Sequence, residues 1–165
     1  MLVKFSIYFC AYFFIMPILT IFHELGHAAF ALALTNSNVY LEIGSGIKRI
    51  EKQIGRLNFK FKGYKNLYDV SFGIVKFKIA KSKIARIFIL LGGPLVSLVI
   101  FLLTISINIL LDNFSFGIKM TLNSISIYSL GQFLSTILPI KYRFKPYVSM
   151  CSDGYQILQM IKAIE

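Results

Sequence analysis

Acidic side chains are scarce in this 165-residue sequence: seven Asp and Glu stand against 18 Lys and Arg, for a formal charge of +11. Histidine and cysteine are rarer still, at two each. Two cysteines cannot build a disulfide framework, and these two fall at opposite depths, Cys10 in an apolar stretch and Cys151 in a basic C-terminal region that is expected to face a reducing compartment. Cys10 reads as a small packing residue. Cys151 reads as an ordinary free thiol, with a spare metal ligand as the alternative because it stands two positions before Asp153. With so few acids and imidazoles, any acid–base or metal site must be assembled from a handful of residues.

What the sequence has in abundance is apolar surface. Hydrophobic residues make up 56% and aromatics 15%, and the mean hydropathy is +0.70, more than a soluble domain of this length needs for its core. The composition predicts a mainly α-helical integral membrane protein with no room for a separate soluble domain. Crossing a bilayer takes roughly 20 apolar residues, and three runs qualify, at about residues 5–34, 84–111 and 118–140. A cleavable leader is the alternative for the first, since Lys4 precedes it and Ala31-Leu32-Ala33 has the small-x-small form. The run is too long for a leader's apolar core, and a spanning helix is the reading adopted.

Twelve of the 18 cations lie between Lys48 and Arg86, and Lys141, Arg143 and Lys145 follow the third run. The positive-inside rule puts both basic regions on the cytoplasmic side of a multi-pass cell-membrane protein, and the N-terminus and the turn at 112–117 outside. Cations that flank membrane segments fit anionic headgroups of the lipid bilayer rather than nucleic acid. Between the first two runs, Leu57, Phe59 and Phe61 alternate with polar residues, Val70, Phe72 and Ile74 repeat the pattern, and the phase inverts over Lys76-Phe77-Lys78-Ile79. Gly44, Gly46, Gly55, Gly63 and Gly73 are placed as turns. Residues 36–83 therefore predict a small antiparallel sheet of hairpins at the cytoplasmic interface, with an open edge able to take an extended peptide by strand addition; a solvated basic linker is the alternative.

Both histidines belong to one motif, His23-Glu24-Leu25-Gly26-His27, late in the first run. On a helix, residues i and i+4 project from one face, so two imidazoles can grip one cation while Glu24 stays free to take a proton from metal-activated water. The reaction this implies is peptide-bond hydrolysis. A catalytic zinc ordinarily has a third protein ligand. Glu42, Glu51 and Asp69 lie in the basic segment, Asp112 on the opposite face, and Glu165 ends the sequence, which leaves Asp153 of Ser152-Asp153-Gly154. Its alternative role is the N-cap of a short helix over about 154–164. Gly92-Gly93-Pro94 in the second run predicts a local kink or a close approach to a neighbouring helix.

HELGH in a first apolar helix, Gly-Gly-Pro in the next, and Leu138-Pro139 followed by Asp153-Gly154 after a third resemble the site-2 protease family of intramembrane zinc metalloproteases. The likeness covers most of the chain. It implies a three-transmembrane-helix core with a membrane-associated β-element between helices 1 and 2, a Zn2+ cofactor on His23, His27 and Asp153, and Glu24 as general base. Gly92, Gly93, Pro94 and Ser97 are the candidate substrate-binding residues. The chain departs from the family pattern at Ser97 and Thr136, where Asn is often found, and in the long Pro139 to Asp153 connection. These departures bear on how substrate backbone is held, because an asparagine amide both donates and accepts over a longer reach than a hydroxyl.

With no soluble recognition domain, the expected substrates are small peptides or single-span membrane proteins met near the cytoplasmic face. A catalytically silent membrane accessory or immunity protein, binding metal or peptide through the same residues, is the competing reading.

Overall fold

A computed structural model describes residues 2–66, 69, 71–78, 82–110, 114–145 and 147–162. Val70, Ile79, Lys81, the acid Asp112 and Glu165 lie outside the described residues, as do the side chains of Lys4 and Cys10. The chain is mostly helical with one small sheet, in the order α1 (Leu2–Leu34), β1 (Val39–Ile43), β2 (Ile50–Ile54), β3 (Leu57–Phe61), β4 (Gly73–Phe77), α2 (Lys83–Leu110), α3 (Phe116–Ile137) and α4 (Asp153–Lys162).

Among the described residues, two helices are long and apolar enough to cross a membrane, α1 over Tyr12–Leu34 and α2 over Lys83–Leu110. The run at 118–140, expected as a third span, does not join them on that measure. The reason is its polar content, which α3 turns inward. Asn123 Oδ1 accepts from Asn108 Nδ2 at 2.7 Å and Ser126 Oγ donates to Thr104 Oγ1 at 2.8 Å, so α2 and α3 are tied by hydrogen bonds. Their outer faces are apolar, with Val99, Leu103 and Ile127 more than half exposed.

Helices α1 and α2 meet at glycines. A Cβ on Gly92 would come within 2.5 Å of the Gly26 carbonyl oxygen, and one on Gly26 would collide with the Gly92 carbonyl, so the backbones touch only because both side chains are absent. Beside this contact Phe30 stacks on Phe88 at 6.4 Å. Of the two outcomes expected for Gly92-Gly93-Pro94, the close approach is observed, and α2 runs as one helix that includes Pro94.

The four strands lie in the order β2-β3-β1-β4. β2 and β3 form a hairpin, β4 runs antiparallel to β1, and β1 runs parallel to β3. The sheet is therefore mixed, not the all-antiparallel set of hairpins expected. β3 inserts between β1 and β2, which the alternation pattern of separate strands cannot report. Val39, Leu41 and Ile43 of β1 are fully buried and pack with Ala28 and Ala31 of α1 and Ile89 of α2. Each such side chain contributes about 1.5–3 kcal/mol on burial, enough to seat the sheet on the helix carrying the histidines. On the other face Glu42 pairs with Lys62 at 2.5 Å and Lys76 at 3.1 Å.

Turns at Gly44, Gly55 and Gly63 use positive φ (+80°, +57° and +70°). Gly73, expected as a turn, is instead the buried first residue of β4. Phe72, expected to alternate within a strand that includes Val70, precedes β4. Gly46 turns without positive φ and lies against the Lys62 carbonyl.

Candidate active site

His23, Glu24 and His27 occupy the buried turn of α1 that faces α2. The two imidazoles do not merely share a face: their Nε2 atoms lie 3.3 Å apart. Each Nδ1 is engaged elsewhere. His27 Nδ1–H donates to the Ile89 carbonyl at 2.7 Å. His23 Nδ1–H donates to Ser97 Oγ at 2.9 Å, and Ser97 Oγ in turn donates to Gln132 Oε1 of α3 at 3.3 Å. With both Nδ1 atoms acting as donors, both Nε2 atoms are left as bare acceptors aimed at one point. The Gly93 amide, 3.3 Å from His27 Nδ1, is a weaker contact because that nitrogen already carries its proton toward Ile89.

Asp153 arrives from the far end of the chain. Its Oδ2 lies 3.4 Å from His27 Nε2 and 3.8 Å from His23 Nε2. Burial raises the Asp153 carboxyl, but its close contacts with the His23 and His27 rings outweigh it and hold the group at about 2, so it is a carboxylate at neutral pH. The N-cap role considered for Asp153 belongs to Ser152. Ser152 Oγ accepts from Tyr155 N–H at 3.1 Å and its carbonyl accepts from Gln156 N–H at 3.0 Å. The same hydroxyl donates to the Leu138 carbonyl at 2.6 Å and accepts from Ile140 N–H at 3.1 Å, tying the start of α4 to the end of α3. Gly154 completes the placement, because any side chain there would collide with the Ile137 carbonyl.

The three donor atoms of His23, His27 and Asp153 lie within 4.8 Å of one another, the spread of a set able to hold one metal ion. A second observation tests that fit. A Cβ on Gly93 would fall on the Nε2 atoms of both histidines, 2.6 Å from that of His23, so the space in front of the donors is kept clear by the absence of one methyl group. Two imidazoles and a carboxylate are a donor set that suits zinc.

Glu24 is not part of this trio. Its carboxylate abuts Gly73 at the start of β4, where a Cβ would come within 2.5 Å of Glu24 Cγ. Site and sheet therefore touch through a glycine. In front of them lies a cavity of about 590 Å³ whose lining includes His23, Glu24, His27, Gly73, Tyr147 and Asp153.

Among the residues expected to touch substrate, Gly92 packs on Gly26, Gly93 faces the imidazoles, and Pro94 and Ser97 are buried in α2, with Ser97 on His23. Thr136 turns its hydroxyl back to the Gln132 carbonyl at 2.9 Å. Cys151 forms the isolated bridge with Lys141 and is not grouped with the three donors. Four residues escaped the reading of the sequence: Gln132, Ser152, Tyr142 and Tyr147. Gln132 carried a signal, a lone amide in an apolar helix. Ser152 carried one as well, a serine just before a helix start. The tyrosines carried none.

Tyr142 and Tyr147 come from the long Pro139 to Asp153 connection, whose described residues form a hairpin. Tyr142 N–H donates to the Met150 carbonyl at 2.9 Å and Ser149 N–H to the Tyr142 carbonyl at 3.1 Å. Burial and the nearby Asp153 charge push the Tyr142 phenol up to about 12, and burial with the Glu24 charge pushes Tyr147 higher still, so both remain protonated.

The family model described as peptidase family M50 matches residues 11–162. No curated protein and no solved structure matches the chain.

Proposed function

Because the chain belongs to peptidase family M50, the site-2 protease family of membrane-embedded zinc metalloproteases, we propose that it is an intramembrane zinc metalloendopeptidase cleaving small membrane-associated or single-span substrates. The observation that carries this reading is the convergence of His23 Nε2, His27 Nε2 and Asp153 Oδ2 in front of Gly93, with a separate buried carboxylate, Glu24, beside them.

His23, His27 and Asp153 would hold the metal, and Ser97, Gln132 and the Ile89 carbonyl orient the two imidazoles. Zinc bound there supplies Lewis acidity that polarises a scissile carbonyl and acidifies water. Glu24 is the base: it accepts a proton from the attacking water and passes it to the leaving amine.

A peptide bond must be extended to be cut, since a helix hides its carbonyls in i to i−4 bonds. β4 offers a template. The Phe72 carbonyl accepts from Gly44 N–H, so by the alternation of the strand Gly73 and Val75 turn their backbone groups away from β1 to the open edge, and the Ser71 carbonyl, in the turn that leads into β4, lies within reach of the same Tyr147 hydroxyl as Gly73 N–H. An unwound substrate segment pairing along that edge would pass Glu24. We place α1, α2 and α3 across the bilayer, the polar seam of α3 being covered by α2, with the basic sheet and the site near the cytoplasmic face.

The test is Glu24→Gln, which keeps the shape and removes the base. Zinc content of the purified variant should equal wild type, while cleavage of membrane peptides in proteoliposomes should fall by at least about 10²-fold. Undiminished function in the variant would instead identify a metal- or peptide-binding accessory protein.

A further inference from the structure

The hairpin, described over residues 141–145 and 147–151, does more than connect α3 to Asp153. Its base is pinned: Ser152 holds Leu138 and Ile140, and Tyr142 Oη donates to the Ser135 carbonyl at 2.7 Å. Its return arm delivers Tyr147 into the cavity, where the ring packs on Phe72 at 5.2 Å and on Tyr142 at 5.4 Å. Tyr147 Oη then donates to the Ser71 carbonyl at 2.5 Å and accepts from Gly73 N–H at 3.4 Å.

The Gly73 amide is the first outward-facing group of β4, at its Glu24 end, and the Ser71 carbonyl stands just ahead of it in the turn that leads into the strand. A chain adding to this edge must use them in either direction, and in the parallel direction a single residue uses both, its N–H going to Ser71 and its carbonyl to Gly73. One phenol, donor and acceptor at once, satisfies the same pair. Buried without a partner, this carbonyl and amide would lose free energy comparable to an unmade hydrogen bond.

We propose that Tyr147 is a built-in place-holder for substrate backbone: its hydroxyl occupies the first hydrogen-bonding position of the β4 edge, and a peptide reaches the site only by displacing it. The inference rests on the reading that substrate pairs with β4. Access to the site is then a competition between one intramolecular phenol and an incoming peptide group. A folded segment whose amides are satisfied within its own helix cannot displace Tyr147, whereas an unwound one can, so the place-holder selects for extended chain. The pinned base lets the Tyr147 side chain yield without moving Asp153.

Two hydroxamate probes on detergent-solubilised, zinc-loaded protein separate the possibilities: acetohydroxamate, which offers only a metal-binding group, and a hydroxamate extended by a Leu-Phe-amide backbone. Tyr147→Phe retains the ring and removes the hydroxyl. The variant should bind the peptide hydroxamate about three- to tenfold more tightly, the worth of roughly one net hydrogen bond, and acetohydroxamate as wild type does. Unchanged or weaker peptide hydroxamate binding, with acetohydroxamate unchanged, overturns the place-holder. Should the variant fail to fold, site-resolved nitration of wild-type Tyr147 decides instead: the phenol should become reactive when the peptide hydroxamate binds and not when acetohydroxamate does, and equal protection under both overturns the proposal. Wild-type protein that holds no zinc and binds neither probe overturns the protease reading and the place-holder together, whereas zinc-dependent acetohydroxamate binding without a Tyr147 effect removes only the place-holder.

Discussion

A serine hydroxyl, shorter than the asparagine amide common at this point in the family, still reaches His23 because Gln132 meets it from α3. The relay fixes His23 as the Nδ1–H tautomer, which is the form whose Nε2 lone pair can bind a cation. Ser97→Ala should therefore lower zinc affinity by about ten- to a hundredfold, in line with losses seen when an outer-shell partner is removed. Competition with a chromophoric chelator measures this directly, and an unchanged affinity would show that the relay does not act on the metal. Ser97 is buried at 1% exposure, with its hydroxyl held between His23 and Gln132.

At the scale of elements, two adjacent glycines of α2 carry different duties that their sequence does not separate. Gly92 permits contact with Gly26 of α1, and Gly93 keeps the space in front of both imidazoles clear. Gly92→Ala should lower stability by about 1–3 kcal/mol, the usual cost of overpacking, read as a lower melting temperature with zinc retained under native conditions. Gly93→Ala should leave the helix pair largely intact and abolish zinc binding. If the two substitutions behave alike in both assays, the division of roles is wrong. β4 shows the same economy of small residues, since Gly73 lets the strand lie against Glu24.

For the whole molecule, the three candidate metal donors come from α1 and α4, so a bound ion would close the fold on itself. Anything that binds the native state alone stabilises it, by about 2.7 kcal/mol at a free concentration one hundred times Kd. Chelator treatment should therefore lower the melting temperature of the purified protein and raise hydrogen exchange in α4 (Asp153–Lys162) before the rest. His27→Ala should melt at a temperature indifferent to chelator. Equal melting of wild type with and without chelator would mean that the trio does not hold a structurally coupled ion.

Much of this protein is written in local pattern. The apolar runs mark α1 and α2, the spacing of His23 and His27 puts two imidazoles on one face, alternation marks Leu57–Phe61 as a strand, and the shortage of acids narrows the third donor to Asp153. Each of these depends on residues within a few positions of one another, or on composition, and so is legible without a fold. The rest depends on partners distant in sequence. The parallel pairing of β1 with β3, the transfer of the helix cap from Asp153 to Ser152, the engagement of Ser97 with His23 and Gln132, and the arrival of Tyr147 at the β4 edge were decided by tertiary structure. Hydrogen-bonding capacity belongs to a side chain, but which partner satisfies it is set by whichever backbone or side chain packing brings within about 3 Å.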